Sequence, residues 1–423
     1  MQENRRIGIG KNWLAIALSG LVILMAGCAT IGNMKESNLD RKARQIHQRV
    51  LTIDTHCDTP MHLSRPEFNI GERHEADASG GRVDLVRMKE GGLDAMFFAV
   101  FIWQGERTPE GNEKAKASTL RILNAIRSAV ASNINLAEIA YTPDEINETV
   151  RKDKRAILIG LENGYGIGND LSLIGKYYDL GIRYITLCHT KNNDICDSAN
   201  DSTEHGGLSK FGREVVREMN RVGMLIDVSH ISDSAFYDVL ALSRTPVFAS
   251  HSCARAICDH PRNLSDDMLK AIAQKGGVIQ INLYTGYVKS GMENAEREAA
   301  LKIYWEKYPD LDQLSLEERT NAYRERDTIE MRYPQQLATV SDLADHIDHV
   351  VKLIGIDYVG IGSDFDGGGA LQDCRDASQM ENITRELVRR GYSEDDIAKI
   401  WGGNFLRVWR AVNSFKDSGQ KNR

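Results

Sequence analysis

Short runs of almost unbroken apolar residues recur along this chain, each bounded by polar or chain-breaking residues. They are "VLTID" (50–54), "LDAMFFAVF" (93–101), "RAILIGL" (155–161), "IRYITLC" (182–188), "MLIDVS" (224–229), "PVFAS" (246–250), "GVIQINL" (277–283) and "YVGIGSD" (358–364). A strand with one wet face alternates apolar and polar residues. These runs do not alternate, so they read as strands buried on both faces of a parallel sheet. Helical patterns lie between them, such as "SKFGREVVREMNRVG" (209–223) and "SDDMLKAIAQKG" (265–276). The second opens on Ser265 as an N-cap and stops at "KGG" (275–277). Eight strands alternating with helices predict an α/β fold, a (β/α)8 TIM barrel over residues 45–412. A doubly wound open sheet is the alternative, but no G-x-G-x-x-G follows the first run, so a dinucleotide site has no support.

One stretch fits a plain barrel less well. Residues 284–340, after the seventh strand, are long, charged and helical in pattern, far beyond an ordinary βα connection. They are expected to rise over the face formed by the strand C-termini, as a lid, a specificity wall or a homodimer element. A solvated helical hairpin without a direct role is the plain alternative. Residues 413–423 read as a polar tail.

Composition narrows the function classes. With 42% apolar and 27% charged residues and a formal charge of −7, the 423-residue chain has no basic excess for nucleic acid. The N-terminus has its own pattern: Arg5, Arg6 and Lys11, then the apolar run "LAIALSGLVILMAG" of about 14 residues, then Cys28. The run is short for a membrane span. The expectation is a lipoprotein-type signal peptide over 1–27, lipidation at Cys28 and a tether over 28–44. That would anchor the protein through lipid in a bacterial cell envelope, facing the periplasm or the outside of a membrane. An uncleaved N-terminal anchor is the alternative. Six further cysteines (57, 188, 196, 253, 258 and 374) include no C-x-x-C pair, and their number alone establishes no pairing.

The candidate chemistry sits where the strands end. His56 and Asp58 follow the first run, Glu162 the third, His189 the fourth, His230 the fifth, His251 the sixth, and Asp364 ends the eighth. Each alone has a bland reading, as a turn residue, a cap or a hydrogen-bonded histidine. In a (β/α)8 barrel, however, the C-terminal strand ends make one face, and active sites lie there. Four of the 11 histidines and three acids converge on it. Histidine nitrogens and carboxylate oxygens suit Zn²⁺, with Mn²⁺, Co²⁺ or Fe²⁺ as substitutes. In an extended segment His56 and Asp58 point the same way and can share one ion, with Cys57 pointing away as a bystander. His230 and His251 can serve a second ion, and Glu162 lies between the halves and can bridge. Two ions so placed clamp a water and polarise a carbonyl, which is hydrolytic chemistry.

The segments "DTHCDTP", "GLENG", "LCHTKNND", "MLIDVSH", "ASHSCARAICDHPRNL" and "VGIGSDFDG" resemble the membrane (renal-type) dipeptidases, within the amidohydrolase-like barrels. His-x-Asp on the first strand and Glu162 on the third, in place of His-x-His and a carboxylated lysine, favour that branch. The resemblance implies two Zn²⁺ per chain, the first on His56 and Asp58, the second on His230 and His251, with Glu162 bridging. It implies that His189 stabilises the oxyanion, that Arg262 pairs with a dipeptide's free carboxylate, and that Asp364 moves the proton. The implied activity is hydrolysis of dipeptides by a metal-bridging water, including dipeptides with a C-terminal D-residue. A related amidase acting on N-acyl amino acids or other small amides is the second reading. A binding lipoprotein with a vestigial site is the third.

Overall fold

Eight parallel strands run in the order expected of a barrel, and each run named above supplies one of them. The structure, a computed structural model, describes residues 37–65, 68–75, 81–292, 294–309, 311 and 314–421. The expected signal peptide and lipidated Cys28 lie outside these residues. Two units are distinguished, residues 1–42 and 43–423. What is described of the first is the beginning of the helix Asn38–His47, where a tether was expected over 28–44. No described helix is long and apolar enough to cross a membrane.

The strands are β1 (Ile53–Cys57), β2 (Ala95–Phe101), β3 (Ala137–Ile139), β4 (Arg155–Glu162), β5 (Ile182–Thr186), β6 (Leu225–Asp227), β7 (Phe248–Ser252), β8 (Val278–Ile281) and β9 (Val359–Ile361). All except β3 form the barrel, in the order β1-β2-β4-β5-β6-β7-β8-β9. β3 was not expected. It pairs with the first half of β4, Ala137 opposite Arg155, where β5 has not yet joined; β5 takes over from Ile159. The seam between β9 and β1 is closed mostly by hydrogen bonds beyond the strand ends. Asp58 N–H donates to Phe365 O (2.8 Å), Asp364 N–H to His56 O (3.0 Å) and Ser363 N–H to Asp54 Oδ1 (2.8 Å). Asp54, on β1, is therefore part of the closure.

The register of β1 departs from simple alternation. Ile53 faces Ala95, yet Cys57 faces Phe98, so β1 carries one extra residue between Asp54 and Cys57. Without it Ile53 and His56 would point to opposite faces. With it Ile53 enters the apolar filling while His56 also turns inward, and Cys57 is set away from the interior. That filling includes Phe97, Leu158, Tyr184 and Phe248, joined by Phe405 and Trp409 of the C-terminal helix Asn404–Lys421. Arg407 of this helix donates to the carbonyls of Gly276, Gly277 and Asp357, just before β8 and β9, which fixes it at the N-terminal ends of the strands. The residues expected as a polar tail from 413 continue this helix to 421. Apolar packing thus occupies one end of the barrel and leaves the other for polar chemistry.

The two helices read from the sequence form at Lys210–Val222 and Asp266–Gln274. Ser209 and Ser265 cap them by accepting from Gly212 N–H and Met268 N–H, and Gly223 ends the first with φ 78°. The insertion after β8 contains Thr285–Val288, Ala295–Lys307 and Leu316–Arg332. The two longer helices are joined by Lys307 and the Tyr308 hydroxyl on Glu325 (2.6 and 2.9 Å). Trp305 stacks on Trp103, beyond β2, at 5.3 Å between ring centroids. The hairpin is thus tied to the loops at the C-terminal strand ends.

Candidate metal centre

Glu162, the last residue of β4, is buried at the middle of a ring of histidines. Its carboxylate lies 3.4 Å from His56 Nε2, 3.2 Å from His230 Nε2, 3.7 Å from His251 Nε2 and 3.8 Å from His189 Nε2. Asp58 Oδ2 is 3.5 Å from His56 Nε2. His56, Asp58 and Asp364 form one cluster whose candidate ligand atoms lie within 4.8 Å of one another. His56, Glu162 and His251 form another, and Glu162, His189 and His230 a third. The structure thus brings together all seven strand-end residues. One boundary differs from expectation: His56 and His251 lie inside β1 and β7 rather than beyond them.

Two ligand candidates need unusual backbone. His230 and Asp364 have φ of 71° and 60°, the left-handed region that costs a side-chain-bearing residue about 1–2 kcal/mol. In both, the turn comes directly where the chain leaves the barrel and aims the side chain back over its mouth. Gly367 is required for a related reason. A Cβ there would lie 2.1 Å from Asp58 Oδ2 and 2.2 Å from Asp364 Oδ1.

A second layer of polar groups orients the first. The Tyr184 hydroxyl is 2.8 Å from His56 Nδ1. Room for that ring comes from Gly160, where a Cβ would lie 2.0 Å from Tyr184 Cζ. On the other side, Ser250 Oγ is 2.7 Å from His251 Nδ1 and donates to Asp227 Oδ2 at 2.6 Å. Asp227 also accepts from Thr186 Oγ1, Ser229 N–H and Ser250 N–H. Its carboxylate can only accept, so the one hydroxyl proton of Ser250 goes to it. His251 Nδ1 is then the donor to Ser250, and its Nε2 lone pair faces Glu162. Asn282 Nδ2 donates to Asp364 Oδ2 at 3.0 Å. The sequence reading missed Tyr184, Asp227, Ser250 and Asn282. The one signal available was a polar residue inside an otherwise apolar buried run.

The electrostatics are those of a site short of positive charge. Burial, with Glu162 beside it, pushes Asp58 up to about 6. Burial pushes Asp364 up to about 8, with Asp58 and Glu162 adding to it against the pull of His56. Burial opposes charge on His56, yet Tyr184, Glu162 and Asp58 outweigh it and hold its pKa well above the ordinary value. His189 goes the other way, down to about 3, through burial and the nearby Arg262. His56 Nε2 and Asp58 Oδ1 are buried and make no hydrogen bond. His230 Nε2 is only 2.8 Å from His251 Nε2. Converging carboxylates, an orphaned ring nitrogen and an orphaned carboxylate oxygen fit divalent cations, and an N/O donor set fits Zn²⁺.

Arg262 is buried beside this centre. Its Nη2 donates to His251 O at 3.3 Å, its guanidinium lies 5.3 Å from the Tyr287 ring centre, and its Nε has no hydrogen-bond partner. The six cysteines in the described residues are all buried and free.

Comparison with known proteins gives a consistent result. The family model described as membrane dipeptidase (peptidase family M19) matches residues 40–423. Dipeptidase tcpJ of Claviceps purpurea is 31% identical over 92% of this chain and 83% of its own length. Dipeptidase 3 of Homo sapiens is 29% identical over 92% of this chain and 71% of its own. Among solved structures, the probable dipeptidase PvdM from Pseudomonas aeruginosa is 34% identical with a TM-score of 0.74, covering 89% of this chain and 99% of that one. A metallo peptidase from Rhodobacter sphaeroides, liganded with a phosphinate mimic of the dipeptide L-Ala-D-Ala, shares the fold at 22% identity and a TM-score of 0.69, over 86% of this chain and 99% of that one.

Proposed function

Because the chain belongs to the membrane dipeptidase family, metal-dependent hydrolases of peptide bonds, we propose that it cleaves dipeptides at a centre of two Zn²⁺ ions. His56 and Asp58 would hold one ion, His230 and His251 the other, and Glu162 both. The observation that carries this reading is the position of Glu162, its one carboxylate within 3.8 Å of four histidines, two on strands and two just beyond strands. When bound, the ions would polarise the amide carbonyl and lower the pKa of the attacking water.

The chain's own groups supply the rest. Arg262 pairs with the free carboxylate of the substrate, a task suited to a guanidinium fork. His189, neutral at working pH, donates a hydrogen bond to the oxyanion. Asp364 takes a proton from the attacking water and returns it to the leaving amine. Positive charge bound beside Asp58 would bring Asp364 back toward the ionised form that this needs, while Asn282 fixes one of its two oxygens. The reading extends to dipeptides with a D-residue at the C-terminal position, the kind mimicked by the phosphinate on the Rhodobacter sphaeroides metallo peptidase. The test is a stereochemically varied dipeptide panel on zinc-loaded protein. Turnover of both L,L and L,D pairs is expected. A chain that takes up no zinc and leaves the whole panel intact would sink the proposal.

The same reading includes a lipid anchor in the bacterial envelope. The basic start, short apolar run and Cys28 support it. Intact mass of the mature N-terminus tests it: a diacylglyceryl cysteine at residue 28 is expected, and a chain beginning at Met1 would refute it.

A further inference from the structure

The hairpin Ala295–Lys307 and Leu316–Arg332 roofs a cavity of about 380 Å³. Its floor is the loop after β9, including Asp366, Gly368 and Ala370. That loop also borders the metal centre, since Gly367 packs against the Asp58 and Asp364 carboxylates. Tyr284 lines the cavity as well, in contact range of Gly368.

Five guanidinium groups line this space. Arg65 and Arg82 come from the segment after β1, Arg297 and Arg326 from the insertion, and Arg375 from the segment after β9. Three carboxylates line it too, and two of them, Glu330 and Asp366, are engaged. Glu330 lies 3.6 Å from Arg297 and 3.2 Å from Arg326. Asp366 accepts from Thr59 Oγ1 and Arg82 N–H, both at 2.7 Å, and lies 3.3 Å from His62. Asp327 is partly buried, and that burial raises its pKa against the influence of Arg65. Arg82 and Arg375 remain. Arg82 Nη1 donates to a neutral acceptor, the carbonyl of Arg375, at 2.8 Å. Neither guanidinium has a carboxylate within 4 Å among the described residues. The cavity thus carries an excess of cationic groups on one rim, next to a site whose own N-terminal end is acidic.

A dipeptide's orientation follows from charge. Its carboxylate goes to Arg262, on the β7 side, and its α-ammonium toward the Asp364 carboxylate, on the β1–β9 side. The side chain of the N-terminal residue branches from the carbon that bears the ammonium, so it starts on the side of the centre that borders the cavity. Resting on the dipeptidase reading, we propose that this cavity is the N-terminal side-chain site and that it selects Asp or Glu there. A free guanidinium next to a carboxylate in a partly enclosed space favours the charged side chain over its neutral isostere by about ten-fold or more.

The experiment compares kcat/KM for Glu-Ala with Gln-Ala, and Asp-Ala with Asn-Ala, on the full zinc-loaded chain. The acidic partner is expected to win by about ten-fold, mainly through KM, with the margin shrinking in 0.5 M salt. The Glu/Gln ratio should fall toward one in Arg375→Gln, whose exposed side chain makes no contact that folding requires. Wild-type ratios near or below one overturn the proposal, and so does a high ratio unchanged in Arg375→Gln. Failure to cleave any of these or Ala-Ala would instead overturn the dipeptidase reading.

Discussion

The Tyr184 hydroxyl and His56 Nδ1 are 2.8 Å apart inside the barrel, both side chains fully buried. If Nδ1–H donates to the phenol oxygen, the Nε2 lone pair is left facing Asp58 and Glu162. Tyr184→Phe keeps the ring and removes only the acceptor. It strands a buried N–H, which costs about 1–3 kcal/mol, and frees the imidazole to turn. Loss of such a partner weakens metal binding by about 10–100-fold. Metal content after equilibration with a buffered chelator should show one ion per chain lost early. Two ions retained with wild-type affinity would refute this role.

The other half of the centre is oriented differently, by a serine relay to a carboxylate. Ser250→Ala breaks the path from His251 to Asp227, and Asp227→Asn puts an amide where two hydroxyls donate. Both should release the ion on the His230–His251 side at about 10–100-fold higher chelator sensitivity. Ser250→Thr, which keeps the hydroxyl, should recover most of the loss. A drop in melting temperature without any change in metal release would mean the relay is only structural.

These second-layer residues mark the limit of what the sequence reveals. The barrel strands are legible because a parallel sheet covered on both faces needs unbroken apolar runs. The candidate ligands are legible because they recur at the ends of those runs. Asp227 is not, because an acid at the end of "MLID" reads as a cap or turn residue. Its role appears only when β7 brings Ser250 beside it. The extra residue in β1 is equally hidden, since periodicity cannot tell a re-phased strand from a regular one. β3 escaped because three residues, one of them Glu138, carry too little pattern.

Arg262 gives a test specific to the substrate's end. Arg262→Leu should lower kcat/KM for a dipeptide with a free carboxylate by at least about 100-fold, in line with loss of a charge-assisted pair worth roughly 3 kcal/mol. For the same dipeptide amidated at its C-terminus, wild type and variant should differ little. Equal losses on both substrates would place the effect in folding or in His251, whose carbonyl Arg262 touches.

His346 predicts a pH effect on stability away from the metal centre. Its Nε2 is 2.9 Å from Val288 O and its Nδ1 accepts from Ala254 N–H at 3.1 Å. Protonation would set two donors against each other. Burial lowers its pKa below 6.5, with the Val288 bond opposing. The unfolded chain therefore takes up the proton first. The contribution to stability is complete above about pH 6.5 and is lost as pH falls from there toward the folded pKa, by at most about 1.4 kcal/mol per pH unit. Denaturant melts at pH 7.5 and 5.5 should show a smaller acid loss in His346→Gln than in wild type. An identical loss in both would rule His346 out as a source.

The seam between β1 and β9 has a consequence for how the chain acquires its metal. Ser363 N–H meets Asp54 Oδ1 across 309 positions of sequence, and Asp364 N–H meets His56 O beside it. Closing so long a loop is slow and comes late in folding. His56 and Asp58 are therefore held in place only once nearly the whole polypeptide has been made. A growing chain has no finished pocket in which to trap an ion early, and a fragment ending before residue 359 should hold less metal than the whole chain. Loading becomes a final step, and bound metal reports a completed barrel.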